Sequence, residues 1–279
     1  MKADESSRTA LMVARQRAAH QVIDHGSILN DPFAMKILLE DEKDVLQFAN
    51  QHPAASIGRL FTSARSRIAE DALAIAIEIG IRQVVVLGAG LDTFALRNPH
   101  AAQQVCIYEV DHPATQAWKR RRLNEAQIAI PEWLVFVPVD FERDDLGEQL
   151  VDAGFRQNSP AFFTWLGVVP YLTRDAVIRT LDYNSSIQKS EVVFNYMEPP
   201  EAFSEELRQM ETKRAEQLEK MNERSVSRFQ PDGMAEILRS HGFSTIEDLS
   251  FQAIASRFGH AIQGLAPGHI GVHVVHTRH

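Results

Sequence analysis

The sequence predicts an α/β domain on an open, mostly parallel sheet, and three observations predict it. An apolar run, Val84 to Leu87, leads into two glycines two apart, Gly88 and Gly90. Two further apolar runs each finish in acid: Gln104 to Asp111, and Leu134 to Val139 before Asp140. The 279 residues, 44% hydrophobic and 24% charged, suffice to bury one sizeable core.

The stretch QVVVLGAGLDTFAL, Gln83 to Leu96, reads as the first strand and a tight ligand-binding turn. Its β-branched and aliphatic residues run without alternation, as a strand covered on both faces requires. Gly88 and Gly90 then allow a ligand close to the backbone, where a Cβ would block it. A dinucleotide turn usually reads G-x-G-x-x-G. Here Ala89 lies between the two glycines, Thr93 replaces the third, and Asp92 before it would repel a pyrophosphate. S-adenosylmethionine carries a ribose, a sulfonium and an amino-acid tail but no phosphate, so it suits an acidic turn better. A nicotinamide-dependent oxidoreductase remains the alternative at this point.

Asp111 lies 21 residues after Gly90, the spacing at which an acid ending the second strand reaches a ribose diol. Asp140, after the third run, is placed to accept from an adenine amino group, with Phe141 to flank the base. Three consecutive strands thus bring polar groups to their C-terminal edge, where open α/β sheets bind ligands.

Seven stretches together carry a resemblance: SSRTALMVARQRAAH, NDPFA, ARSRIAED, VVVLGAGLDT, YEVDHPATQAWKRRRL, VPVDF and WLGVVPYLT. In this order, over about residues 6 to 200, the chain resembles the leucine carboxyl methyltransferase family, and its bacterial secondary-metabolism branch most. The resemblance implies a class I methyltransferase (Rossmann-like) sheet of about seven strands with an antiparallel last strand, and S-adenosylmethionine as cofactor. It implies O-methylation, with a carboxylate as acceptor. It also implies cofactor-binding roles for Arg65, which aligns with an arginine for the methionine carboxylate, and for Gly88, Ala89, Gly90, Asp111, His112, Asp140, Phe141 and Leu166. The chain departs from the family twice. Phe94 stands where an arginine usually follows the threonine, and Leu166 stands where relatives commonly place a glutamate. These departures keep a non-catalytic S-adenosylmethionine-binding protein open as an alternative.

Elsewhere the chain reads as one elaborated domain: a helical cap and lead-in helix over 1–80, the cofactor-binding core over 81–198, a helical lid over 199–230 and C-terminal strands over 231–279. Ser6 or Ser7 is expected to cap a helix reaching Asp24, and Asn30-Asp31-Pro32 to open another through about Glu40. The helical pattern from Ile57 to Ile79 carries Arg65, with Arg67 spaced to pair with Glu70 or Asp71. Lys119 to Arg122 reads as a solvated helix end rather than a nucleic-acid patch, given 29 basic against 37 acidic residues and a net charge of −8. Thr173 caps the next helix. Tyr171 and Tyr196 either face a small-molecule methyl acceptor or are buried with satisfied hydroxyls. Leu207, Met210, Leu218 and Met221 form the lid's apolar stripe. His269, His273 and His276 suggest a metal, but His273 and His276 are three apart on a strand and point to opposite faces, so none is expected. Only Cys106 is present, so no intrachain disulfide forms, and the cytoplasm is the expected compartment. A monomer and a homodimer are both compatible with the sequence.

Overall fold

The computed structural model describes residues 8–50, 55–220, 225–259 and 269–279. In chain order the elements are α1 (Arg8–Ile23), α2 (Glu42–Ala49), α3 (Ala55–Glu78), β1 (Gln83–Leu87), α4 (Phe94–Arg97), β2 (Cys106–Asp111), α5 (Pro113–Glu125), β3 (Leu134–Pro138), α6 (Leu146–Asp152), β4 (Ala161–Trp165), α7 (Arg174–Ser186), β5 (Glu191–Met197), α8 (Glu205–Lys220), α9 (Pro231–Ser240), β6 (Thr245–Ser250), α10 (Phe251–Phe258) and β7 (Val272–Arg278). The strands form one sheet in the order β3-β2-β1-β4-β5-β7-β6. Strands β1 to β5 pair in parallel, whereas β7 runs antiparallel to both β5 and β6. The strand order reverses between β1 and β4, which opens a crevice at their C-terminal ends.

All five residues of β1 are buried because both sheet faces are covered. Val85 and Leu87 join Tyr108, Val110, Phe163 and Trp165 on one face. Val84 and Val86 join Ile107 and Phe162 on the other, under Leu60, Ala64, Ile68 and Ala72 of α3. Those α3 residues recur every four positions, and the alanines let the helix approach the sheet closely. Helix starts follow local chemistry: Asp41 accepts from Asp44 N, Thr173 from Ala176 N, and Pro113 follows the capping His112. Among the described residues no helix is long and apolar enough to cross a membrane.

The helix expected from Pro32 to Glu40 does not form; the segment makes turns and one 3₁₀ turn, Lys36–Leu38. Asp31 does accept from Phe33 N, but its carboxylate is drawn inward by the Thr93 hydroxyl. Farther on, the Arg122 guanidinium takes the carbonyls of Ile37 and Leu38, acceptors that a continuing helix would need. Helix α2 begins beyond this point and was not expected from the sequence. The expected cap at Ser6 or Ser7, the side chains of Leu207, Met210 and Leu218, and all of Met221 lie outside the described residues.

The basic run is a solvated helix end only in part. Lys119 is buried against Glu109, Arg120 lies over the Phe136 ring at 4.1 Å, and Arg122 lies over Trp118 at 4.9 Å. Lys119 is thus inside the protein and Arg122 half-buried, while Arg120 and Arg121 stay exposed.

Helix α1 is tied to α3 through His20. Its Nε2 accepts from Ile28 N at 3.2 Å and Leu29 N at 3.3 Å, so the proton sits on Nδ1 and is donated to Asp24 at 2.9 Å. Arg59 of α3 holds the same carboxylate at 2.7 Å. Burial lowers the His20 pKa, and Asp24 offsets this only in part. Since the folded pKa is below the unfolded value of about 6.5, the contribution of His20 is complete above that pH. It is lost as pH falls below about 6.5, where the unfolded chain takes up the proton first. The stability gap between the native protein and His20→Gln should therefore narrow from pH 7.5 to 5.5 in thermal unfolding, while a constant gap would mean that His20 is not held neutral.

Candidate active site

The turn after β1 is shaped by its glycines. Gly88 (φ +66°) and Gly90 (φ +50°) both adopt left-handed conformations. A Cβ on Gly88 would lie 2.2 Å from Val168 Cγ2, and one on Gly90 would lie 3.0 Å from Ala10 Cβ of α1. The turn is thus clasped between the cap helix and the segment after β4. Gly88 N and Ala89 N both donate to Val110 O, and Gly90 N donates to Asp111 Oδ2 at 2.5 Å. Asp111 Oδ1 accepts from His112 N at 2.7 Å, which fixes the carboxylate at the end of β2. Burial raises the Asp111 pKa, and the two backbone N–H groups counter it. His112 itself caps α5, its Nδ1 accepting from Ala114 N.

A chain of charges surrounds the turn. Arg17 of α1 donates to Leu91 O and to Asp92 Oδ2, and Lys119 donates to Asp92 O at 2.6 Å. Arg97 grips Glu70 of α3 through both terminal nitrogens and also faces Asp31. Burial pushes the Asp92 carboxyl up, but Arg17, Lys119 and the Phe94 N–H hold it below its ordinary value. Glu70 goes the other way: burial raises it more than Arg97 lowers it, with Asp92 and Asp31 adding to the rise.

Arg65 is buried on α3 and reaches the end of β4. Its Nη1 donates to Asn195 Oδ1 at 3.3 Å, and the same oxygen accepts from Gly167 N at 2.6 Å. A Cβ on Gly167 would meet Arg65 Nη2 at 2.7 Å, so the guanidinium lies flat against that glycine. Next to it Leu166 and Phe94 line one small pocket with Ser66, Ala69, Glu70, Leu73, Val86, Asp92 and Thr164. The two departures noted in the sequence thus face the same cavity.

Arg65, Gly88, Ala89, Gly90, Asp111, His112 and Leu166 accordingly come together around the C-terminal ends of β1, β2 and β4. Asp140 and Phe141 follow β3 on the same edge, where Val139 N bonds Asp111 O. The Asp140 carboxylate accepts from Glu142 N, and Phe141 is half-buried against the core. Tyr171 is half-buried in the 3₁₀ turn Val169–Tyr171. Tyr196 is not at the mouth of the site. It is fully buried in β5, stacked on His273 at 4.8 Å, and donates to Asp248 at 2.6 Å, because β7 and β6 cover that part of the strand. His273 is bracketed by Asp248 and Glu198, while His276 bonds Glu191. The sequence reading missed Arg17, Asp31, Glu70, Lys119 and Asn195. The one sequence signal for the Glu109–Lys119 ion pair was an acid inside an apolar strand, which does not by itself name its partner.

Residues 10–184 match the family described as leucine carboxyl methyltransferase. The chain belongs to that family. A Bacillus subtilis protein, YktD, named as an S-adenosylmethionine-dependent methyltransferase, is 35% identical over 222 residues, covering 70% of this chain and 72% of its own. A Mycolicibacterium smegmatis protein similarly named is 30% identical over 226 residues, covering 76% and 70%. A solved DUF574 family protein from Streptomyces avermitilis shares the fold at TM-score 0.59 and 17% identity, over 99% of this chain and 98% of that one. A Nostoc punctiforme protein structure, described as an O-methyltransferase, matches at TM-score 0.50 and 9% identity, over 95% of this chain and 72% of that one. The fold is that of class I S-adenosylmethionine-dependent methyltransferases, as the strand order requires.

Proposed function

We propose that this S-adenosylmethionine-dependent methyltransferase transfers its methyl group to an oxygen of a small molecule, a carboxylate first. The observation that supports it is the family match over residues 10–184, joined to an acidic, phosphate-averse glycine turn. The turn fits the cofactor on its own chemistry. Its glycines leave the backbone open where Cβ atoms would intrude, and the carboxylates around it outnumber the cations. A nicotinamide pyrophosphate would meet Asp92 there.

In this reading Asp111 holds the ribose diol, Arg65 the tail carboxylate, and Asp140 with Phe141 the adenine. The bound cofactor supplies an electrophilic methyl on a sulfonium. A carboxylate acceptor is already ionised at neutral pH, so the protein need not remove a proton. Its work is alignment and exclusion of water, which Leu73, Val86, Phe94 and Leu166 assist by making one side of the pocket apolar. The place in secondary metabolism suggested by the resemblance belongs to this same reading.

The test is incubation with methyl-labelled S-adenosylmethionine and a panel of carboxylic acids, phenols and alcohols, followed by mild alkali. Label released as methanol marks a carboxyl ester. Label that resists alkali marks an ether and overturns the carboxylate assignment. Cofactor binding without turnover on the whole panel favours the non-catalytic alternative.

A further inference from the structure

Two carboxylates and two imidazoles meet where β5 leaves the sheet, and one of the imidazoles opens to solvent. Glu198 directly follows β5, and its Oε1 lies 2.9 Å from His273 Nε2 and 2.6 Å from His269 Nε2. His273 Nδ1 in turn lies 2.7 Å from Asp248, the carboxylate that also accepts from Tyr196. A carboxylate only accepts, so each of these three imidazole nitrogens carries a proton. His273, protonated on both nitrogens, is therefore an imidazolium that meets the charge of Glu198. Burial lowers its pKa, but Asp248 and Glu198 raise it more. His269 needs no charge of its own there. With its proton fixed on Nε2, the neutral His269 ring presents a bare Nδ1 that can only accept, and among the described residues that nitrogen has no partner. The Glu198 side chain is 8% exposed and that of His269 43%, so the orienting carboxylate is inside and the free nitrogen outside. The nearest guanidinium is committed elsewhere: Arg228 donates to Glu198 O and to Glu211 of α8.

This imidazole shares a sheet edge with the crevice. Strands β4 and β5 pair in parallel with Trp165 opposite Phe194, so both end on that edge. Gly167, just past β4, donates to Asn195 of β5, and Arg65 shares the same oxygen. A segment after α8 crosses the edge, with Val226 N donating to Pro170 O at 2.7 Å and Phe229 N to Met197 O at 3.0 Å. His269 O accepts from Ser204 N at 3.3 Å, where the chain turns into α8. Tyr171 is half-buried next to Pro170, and Val226 is 52% exposed, so the edge between β4 and His269 is partly apolar. An acceptor whose carboxylate faces the crevice beside β4 extends over β5 towards His269. A bare nitrogen there selects a donor. The geometry points to His269 as a specificity-determining residue that accepts a hydrogen bond from a hydroxyl of the methyl acceptor, with Glu198 positioning it and setting its tautomer. The acceptor class is then a hydroxylated carboxylic acid, methylated on its carboxylate. This inference rests on the carboxylate reading above and narrows it.

Matched acids test it at about pH 8, where an ordinary imidazole is neutral: benzoate against 4-hydroxybenzoate, and octanoate against 3-hydroxyoctanoate. In at least one pair the native protein should methylate the hydroxylated acid with about tenfold higher kcat/KM, mostly through KM, as one added hydrogen bond allows. His269→Leu should remove that preference while affinity for S-adenosylhomocysteine stays native. In Glu198→Gln the amide can donate to Nε2, which moves the ring proton to Nδ1. There 4-formylbenzoate, which only accepts, should overtake 4-hydroxybenzoate. Nitrogen NMR of the S-adenosylhomocysteine complex reads the same contact without turnover: 4-hydroxybenzoate should shift the bare Nδ1 resonance of His269, and benzoate should not. A native Nδ1 that carries the proton overturns the inference without any substitution, so the result does not depend on the variants folding. An equal fall for all acids in His269→Leu also overturns it, and so does alkali-stable label on a hydroxylated acid, which would make the hydroxyl itself the methyl acceptor. Esters formed in both pairs without regard to the hydroxyl overturn this inference alone, whereas no ester from any acid overturns the carboxylate reading with it.

Discussion

Replacing Lys119 with methionine is expected to lower stability by about 3–5 kcal/mol, the usual cost of breaking a buried ion pair on one side. Lys119 Nζ lies 2.5 Å from Glu109 Oε2, and each side chain is 1% exposed. Glu109 is left with Asp92 and Asp111 nearby, and burial already raises its pKa against the pull of Lys119. Removing the cation would strand a carboxylate among like charges. Removing both members changes the balance, since a buried pair replaced by apolar residues of similar volume is often neutral or stabilising. Glu109→Met with Lys119→Met should therefore recover most of the lost stability in denaturant unfolding. A double variant as damaged as the single one would place the role of Lys119 in its 2.6 Å contact with Asp92 O, which holds the glycine turn, rather than in the ion pair.

The difference between Glu109 and Asp111 also shows what the sequence could reveal. Both are acids in the second apolar run, two residues apart and so on one sheet face. Asp111 was legible because its distance from Gly90 is dictated by a strand-helix-strand geometry that is local in the chain. Glu109 was not, since an acid inside a strand is explained only by a partner, and Lys119 looks like one of four basic residues on a helix. The inner parallel strands were legible because continuous apolar runs have few other solutions. The expected helix at Pro32 failed for the converse reason: Asp31 satisfies the local rule for a cap, yet Thr93 and two arginines, far off in sequence, compete for the same carboxylate. Of the two readings open for Tyr196, the buried tyrosine with a satisfied hydroxyl holds, and strand order, which puts β7 beside β5, decides between them. The pocket was equally hidden. Phe94 and Leu166 are 72 positions apart, and only the adjacency of β1 and β4 brings them to one wall.

Phe94 and Leu166 make part of the pocket wall apolar, beside the polar Ser66, Glu70, Asp92 and Thr164. Helix α1 packs on the adjoining turn through Arg17 and Ala10, so the N-terminal helix and the glycine turn are held together.

The largest expected effect on binding belongs to Asp111. Its alanine variant should bind S-adenosylhomocysteine at least about 100-fold more weakly, about 2.7 kcal/mol, with a modest fall in unfolding temperature. Two consequences combine. The carboxylate that would face the ribose is removed, and Gly90 N and His112 N lose the acceptors that hold them at 2.5 and 2.7 Å. Asp111→Asn separates them. An asparagine keeps the volume and one acceptor, but its amide nitrogen must turn toward one of the two N–H groups, so the turn is only partly held. If Asp111 contacts the ribose, the native protein should discriminate against the 2′-deoxy form of S-adenosylhomocysteine, and Asp111→Asn should discriminate less. If it acts only by holding the turn, the substitution weakens both ligands by the same factor. Native-like binding by Asp111→Ala would exclude both roles, and the crevice between β1 and β4 would then have to recognise the cofactor through α3 and the backbone alone.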